Sequence, residues 1–244
     1  MPRASHYLLE GYTYHLTHRC HGRQFLLRHR RDRAAYREWL RQGVRRFKVP
    51  LYGYCITRNY VHVVAHASTR EAVSNLMHLA SGSVAKAYNI RTDRTDSVWE
   101  HPYHCTVIQD GQHLLNCLRY VDLNMVRASE VAHPSDWPTC GYRELTGRRR
   151  RYRFLDVAGL AKRLGFGDLT ELQRWYAESI EQRLAEGNHK REAHWTESLA
   201  VGSSDFVTGI TSKYPRRWKF AVAQSPDGAW LVREEHERYT TQNG

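Results

Sequence analysis

Residues 51–66, "LYGYCITRNYVHVVAH", constrain the fold more than any other stretch of this chain. Two short strand-like runs, 51–57 and 60–66, stand on either side of the dipeptide Arg58-Asn59. Runs of this length around a two-residue connection predict an antiparallel hairpin. Side chains at i and i+2 of a strand share a face, so Tyr60, His62 and His66 point the same way. His62 and His66 lie about 13 Å apart along an extended strand. They cannot hold one metal together without a kink.

Strand and helix patterns alternate around this hairpin. "GYTYHLTHR" (11–19) sets Tyr12, Tyr14 and Leu16 against Thr13, His15 and Thr17, a strand pattern. Residues 32–47 carry Tyr36, Trp39, Leu40, Val44 and Phe47 on one helical face, with Asp32 as the expected N-cap and Pro50 as the stop. Ser68 and Glu71 form a capping-box pattern before a helix bearing Val73, Leu76, Met77, Ala80 and Val84. A further strand lies within 99–109, and a helix over 110–128 buries Leu114, Leu118, Val121 and Met125. The order β-α-β-β-α-β plus a helix predicts an α+β fold: a ferredoxin-like antiparallel sheet with helices on one face and the other face open.

Around residue 147 the composition turns polar and basic, in "TGRRRRYR" (146–153). Two helical patterns follow, a short helix is expected to open at Ser203 or Ser204, and the last thirty residues read as irregular. The expected division is therefore a domain over 1–146 and, over 147–244, a basic joint with a mostly helical C-terminal extension.

Charge narrows the partners. Lys and Arg total 37 against 25 Asp and Glu, a formal net charge of +12. An arginine-rich surplus favours a polyanion, most often nucleic acid. The five cysteines, Cys20, Cys55, Cys105, Cys117 and Cys140, form no C-x-x-C pair, which argues against a zinc knuckle or a disulfide framework. No apolar run reaches the ~18–20 residues of a membrane span, and the N-terminal stretch lacks a secretory signal pattern. These features place the protein in the cytoplasm, away from membranes, with monomer and homodimer both open.

Along 110–128, Tyr120 and Asn124 are i, i+4 neighbours, with Asn116 a turn before and Arg127 close after. A phenol to attack phosphorus, a carboxamide to help hold a metal and an arginine to neutralise phosphate would suit phosphodiester chemistry. Periodicity alone equally allows a half-buried packing tyrosine and a capping asparagine.

The wording of six segments adds to this. "YHLTHRCHGRQFLL", "GYCITRNYVHVVAH", "VWEHPYHCTVI" and "LLNCLRYVDLNMVRASEVAHPSDWPTCGYREL" follow in the order seen in the single-tyrosine HUH transposases, which include small insertion-sequence and REP-associated tyrosine transposases. "WTESLAVGSSDFV" and "LVREEHERY" resemble the C-terminal extension of one bacterial branch. The resemblance implies DNA transposition: cleavage of single-stranded or hairpin DNA and strand transfer through a 5′-phosphotyrosine. It implies Tyr120 as nucleophile and His62 and Asn124 as ligands of a divalent cation, Mg²⁺ or Mn²⁺. Arg127, Arg119 and Arg58 are expected to meet the DNA.

Two positions depart from the pattern. The first strand histidine is replaced by Tyr60, a degenerate ligand position, because a protonated phenol is a poor ligand for a hard cation. Cation binding is expected to be weakened accordingly. His15, His18 and His66 are the candidate substitutes, with His15 and His66 better read as structural or DNA-facing. Pro102 stands where the branch usually carries an arginine. The alternative reading is a catalytically impaired or domesticated protein on the same fold that binds hairpin or single-stranded DNA. A ferredoxin-like RNA-binding module fits less well, since the strands lack paired aromatic stacking motifs.

Overall fold

The computed structural model describes residues 7–187 and 190–235. The first six residues and the end of "LVREEHERY" (236–239) lie outside the described residues.

The hairpin forms where its pattern lies. Strand β2 (Leu51–Ile56) pairs antiparallel with β3 (Tyr60–Ala67). Thr57 closes the turn: its amide donates to the Tyr60 carbonyl at 2.8 Å, and the Tyr60 amide donates to Thr57 Oγ1 at 2.9 Å. Strand β1 (Tyr12–Arg19) pairs with β3 on one side and with β4 (His104–Ile108) on the other, both antiparallel. Helices α1 (Arg30–Phe47) and α2 (Arg70–Thr92) cover one face. Tyr36 and Leu40 of α1 and Val73, Leu76 and Met77 of α2 pack there on Tyr14, Leu16, Val61, Val63 and Ala65. The alternation along β3 sends these apolar side chains to that face and leaves Tyr60, His62 and Val64 for the other.

The helix boundaries shift by a residue or two from those read in the sequence. His29, not Asp32, precedes α1, and Asp32 lies in the first turn, where its buried carboxylate pairs with Arg91 of α2 at 2.6 Å. Lys48, in the left-handed region, ends α1 before Pro50 is reached. Thr69, not Ser68, caps α2, accepting from the Ala72 amide at 3.2 Å.

Three expectations are corrected more substantially. First, the second face of the sheet is not open. Helix α3 (Gln112–Asp122) places Leu114, Leu118 and Val121 on it, against Cys55 and Val64. An apolar stripe of this kind needs a surface to bury against. The approach is close at Gly53, where a Cβ would stand 2.7 Å from Leu118 Cδ2. Second, the 110–128 helix is interrupted: α3 ends at Asp122, and α4 (Asn124–Arg127) resumes after Leu123, whose ψ of 4° breaks the α geometry. Third, the extension is not mostly helical, nor are the last thirty residues irregular throughout.

After α5 (Tyr142–Leu145), helices α6 (Val157–Leu164) and α7 (Leu169–Ala185) cover more of the second face. The short α8 (His194–Glu197) leads into β5 (Ala200–Gly202), which pairs parallel with β4. Ser203 caps α9 (Ser204–Thr211). A hairpin of β6 (Phe220–Gln224) and β7 (Trp230–Glu234) then completes a seven-stranded mixed sheet in the order β2-β3-β1-β4-β5-β7-β6. Among the described residues no helix is long and apolar enough to cross a membrane.

The basic joint is held from below by Glu144, which is 1% exposed. Its carboxylate accepts from Arg37 at 2.8 Å, Tyr54 Oη at 3.0 Å and the amides of Phe154 and Leu155 at 2.9 and 3.2 Å. Removing one partner of a buried, hydrogen-bonded ion pair strands the other. Glu144→Ala is expected to cost about 3–5 kcal/mol of unfolding free energy in denaturant melts, and Glu144→Gln less. A loss below about 1 kcal/mol for the alanine variant would show that the joint does not depend on this carboxylate.

Candidate active site

The site forms where β1, β3, the α3–α4 junction and α8 meet. Pairing of Thr17 with His62 and of His15 with Val64 sets the two histidines diagonally on the second face of the sheet. Their rings stack at 5.2 Å, and His15 Nε2 lies 3.0 Å from His62 Nδ1. His15 Nδ1 lies 2.7 Å from the carbonyl oxygen of Trp195 in α8. On the other side of His62, its Nε2 is 3.0 Å from Asn124 Nδ2. Tyr60, at the mouth of β3, stacks its ring on His62 at 4.9 Å.

The protons along this chain can be assigned. A carbonyl only accepts, so His15 Nδ1 carries a hydrogen and donates to Trp195. Burial lowers the His15 pKa to about 3, so the ring is neutral and its Nε2 accepts. His62 Nδ1 must then be the donor, which leaves the His62 Nε2 lone pair directed at Asn124. Burial also holds the His62 pKa well below the usual range, with smaller contributions from His15 and Arg127.

Tyr120 arrives from α3. Its ring meets His15 and His62 edge-on, with both centroids at 6.1 Å, and tilts against Trp195 at 6.3 Å. The Arg127 guanidinium sits 4.0 Å from the centre of the Tyr120 ring and donates to the Tyr120 carbonyl at 2.6 Å. Burial raises the phenol pKa, opposed by Arg127. At neutral pH Tyr120 is therefore a protonated phenol.

The site opens into one cleft of about 550 Å³. Of the residues singled out in the sequence, Tyr60, His62, Tyr120, Asn124 and Arg127 line it. Arg119 does not: it turns away to Asn116 and lies over the Trp175 ring. Arg58 pairs with Glu130 at 2.6 Å. His66 is near Arg163, at 3.3 Å, and His18 stacks on Trp99 while contacting the His101 carbonyl on the opposite face. Neither joins His62.

The cleft also holds residues that sequence reasoning passed over. Arg19 and Arg23 come from β1 and the turn after it, and Arg191, Thr196 and Glu197 from the extension. Arg19 pairs with Glu100, and Arg191 with Glu197 at 2.7 Å. The resemblance of "WTESLAVGSSDFV" to a family extension was the one signal available for the α8 residues. Elsewhere, Glu192, His194 and Asp227 form the group of acidic and imidazole side chains close enough together to ligate an ion among the described residues.

Residues 9–124 match the family model described as "Transposase IS200 like". Over these residues, just under half of the chain, the protein is similar to the IS200-like transposases. The matched segment runs from before β1 to Asn124, and so takes in His15, Tyr60, His62 and Tyr120. One solved structure, that of a REP-associated tyrosine transposase bound to a REP hairpin, is similar at 16% identity and a TM-score of 0.49. The match covers 61% of this chain and 87% of that one. No curated protein matches the chain. The transposase segment thus ends within the site, and Trp195, Thr196 and Glu197 come from outside it.

The proton assignment has a measurable consequence. In ¹⁵N-resolved imidazole spectra, His15 and His62 are both expected as neutral Nδ1–H tautomers at pH 7. Their folded pKa values are depressed, so the unfolded chain takes up these protons first as pH falls below about 6.5. The stability they support is full above that pH and is lost as pH falls toward the folded values, about 3 for His15. Each contributes a slope of up to about 1.4 kcal/mol per pH unit. His15→Phe should make acid unfolding less steep, and an imidazolium signal at pH 6 from either ring would contradict the assignment.

Proposed function

We propose that this protein cleaves and rejoins single-stranded or hairpin DNA through a phosphotyrosine on Tyr120, as a DNA transposase. The observation that carries the reading is the convergence of Tyr120, His62, Asn124 and Arg127 on one arginine-bearing cleft. Tyr120 Oη attacks a phosphorus, the bond to the 3′ oxygen breaks, and the phenol proton is balanced by the new 3′-hydroxyl. The resulting 5′-phosphotyrosine keeps the energy of the broken bond, so a hydroxyl can reverse the attack without ATP. Arg127 stabilises charge on the phenolic oxygen as its proton leaves. Arg23 and Arg19 stand where they can neutralise phosphates along the strand. The catalytic domain is the 1–146 segment, with 147–244 supplying Trp195 and the far wall.

The donor set fits a divalent cation, held weakly. His62 Nε2 presents a lone pair, and exchange of the Asn124 amide N and O would turn its oxygen to the same point. Thr17 Oγ1, buried and without a hydrogen-bond partner, stands opposite His62 on β1. Two neutral ligands suit Mg²⁺ or Mn²⁺ only where water and phosphate oxygens complete the shell. When bound, the ion would polarise the phosphate under attack. His62 and Asn124 orient whatever occupies that point, and His15 fixes which His62 nitrogen faces it.

One observation favours a second reading, DNA binding without turnover. Tyr60 fills the place of a ligand and stacks on His62. The two readings separate on labelled single-stranded DNA from the flanks of the gene, incubated with Mn²⁺. Turnover predicts a covalent protein–DNA adduct that Tyr120→Phe abolishes, and Tyr60→His should increase its yield about tenfold or more, in line with metal-site losses of that size. Adduct formation by the Tyr120→Phe variant would refute the nucleophile. Adduct from Tyr60→His alone would establish the impaired reading.

A further inference from the structure

The basic joint is left unused by the cleft chemistry, yet it is not a solvated tail. It forms one wall of a second groove of about 430 Å³, against the N-terminal half of α1. Six arginines line it: Arg30, Arg37, Arg143, Arg148, Arg149 and Arg151. Three of them are fixed in place. Arg37 is held by Glu144, the Tyr54 hydroxyl and the Tyr152 carbonyl; Arg149 donates to the Pro138 carbonyl at 2.9 Å; Arg143 donates to the Ser135 carbonyl at 2.7 Å. The other three, Arg30, Arg148 and Arg151, make no ion pair among the described residues, and Arg148 and Arg151 are exposed. The acidic residue lining the groove, Glu38, is occupied by Arg41 and Gln42. Like charges are thus gathered on a fixed frame, a cost that an anionic partner would relieve.

Tyr152 adds an aromatic surface. Its side chain is among the most exposed large hydrophobics, at 68%, and its backbone is in the left-handed region at φ 56°. Arg37 holds its carbonyl at 2.7 Å, so the ring is presented to solvent from a fixed backbone. Arginine forks beside an exposed ring suit phosphates with an unpaired base stacked between them.

The groove also adjoins the cleft. Thr139 in the groove donates to the Ile56 carbonyl, and the next residue, Thr57, lines the cleft. Arg33, stacked on Trp137, and Arg58 lie in the same region, close enough for their charges to interact. A strand leaving the cleft past Thr57 would meet Arg58 and then the groove.

We infer that the groove formed by α1 and residues 148–152 is a second DNA site, taking the single-stranded segment that flanks the nucleotides in the cleft. This rests on the DNA-cleaving reading of the cleft, and one experiment separates the two. Binding of the full chain is measured across a salt series with two labelled probes, a DNA hairpin with single-stranded tails and the same hairpin with blunt ends. Arg148→Ala/Arg151→Ala should lower the salt slope on the tailed probe by about 1.4, two phosphates at about 0.7 each. A fourfold rise in salt then costs about sevenfold less affinity than in the wild type. Tyr152→Ala should weaken the tailed probe roughly tenfold, the loss of one stacked base. The charge-matched Arg174→Ala/Arg216→Ala, both exposed elsewhere, should change neither. Wild-type preference for the tailed probe with an unchanged slope in the groove variant overturns the groove and leaves the cleft reading standing. Equal losses on the blunt hairpin overturn the assignment to single strand. A wild type indifferent to the tails overturns the groove as a single-strand site, and one that binds neither probe better than a plain duplex overturns the cleft reading itself.

Discussion

His15 sits at the centre of the sheet with no exposed surface, and a buried imidazole must have both nitrogens satisfied. In this protein one nitrogen is met by the Trp195 carbonyl and the other by His62. That requirement ties the two ends of the chain together. The parallel pairing of β5 with β4 carries α8 over the sheet and brings the Trp195 carbonyl within reach. Without the extension, His15 would lose its acceptor and His62 the neighbour that defines its tautomer. The C-terminal segment is therefore part of the site, although it lies outside the matched family segment.

Burial governs the charge state of what surrounds this pair. The same desolvation that keeps the histidines neutral raises the pKa of the Tyr120 phenol and lowers that of Arg127. Arg127 stays charged because guanidinium pKa values are so high, and its position over the Tyr120 ring offsets part of its own desolvation. The site thus pairs a fixed positive charge with neutral donors and acceptors. It favours negative charge arriving from outside, as phosphate does. The joint uses a different arrangement: one buried carboxylate, Glu144, organises arginines from two parts of the chain while leaving others unpaired.

The elements most visible in the sequence were those whose own periodicity demanded burial. The hairpin around Arg58-Asn59, the helices with continuous apolar stripes and the adjacency of Tyr120 and Asn124 all depend on local spacing. Strands β5, β6 and β7 were not legible, because a three- to five-residue strand is defined by its partner and not by its own pattern. The capping position before α2 was misplaced by one residue, since Ser68 and Thr69 offer the same hydroxyl and only the chain direction leaving β3 selects between them. Arg119 follows a similar logic. One residue before Tyr120, it is rotated about 100° around the helix, which turns it from the cleft toward Trp175.

By itself the sequence determined the β-α-β-β-α-β order, the face of β3 that carries Tyr60 and His62, and a charge suited to a polyanion. These follow from side-chain periodicity and composition, which are local properties. Only the tertiary structure decided that the second face of the sheet is covered, that the extension supplies an acceptor to His15, and that the arginines of the joint are gathered into a groove. Each of these depends on contacts between residues far apart in the chain. Which pairs meet is set by the need to cover apolar surface and satisfy buried polar groups, and no local pattern carries that information.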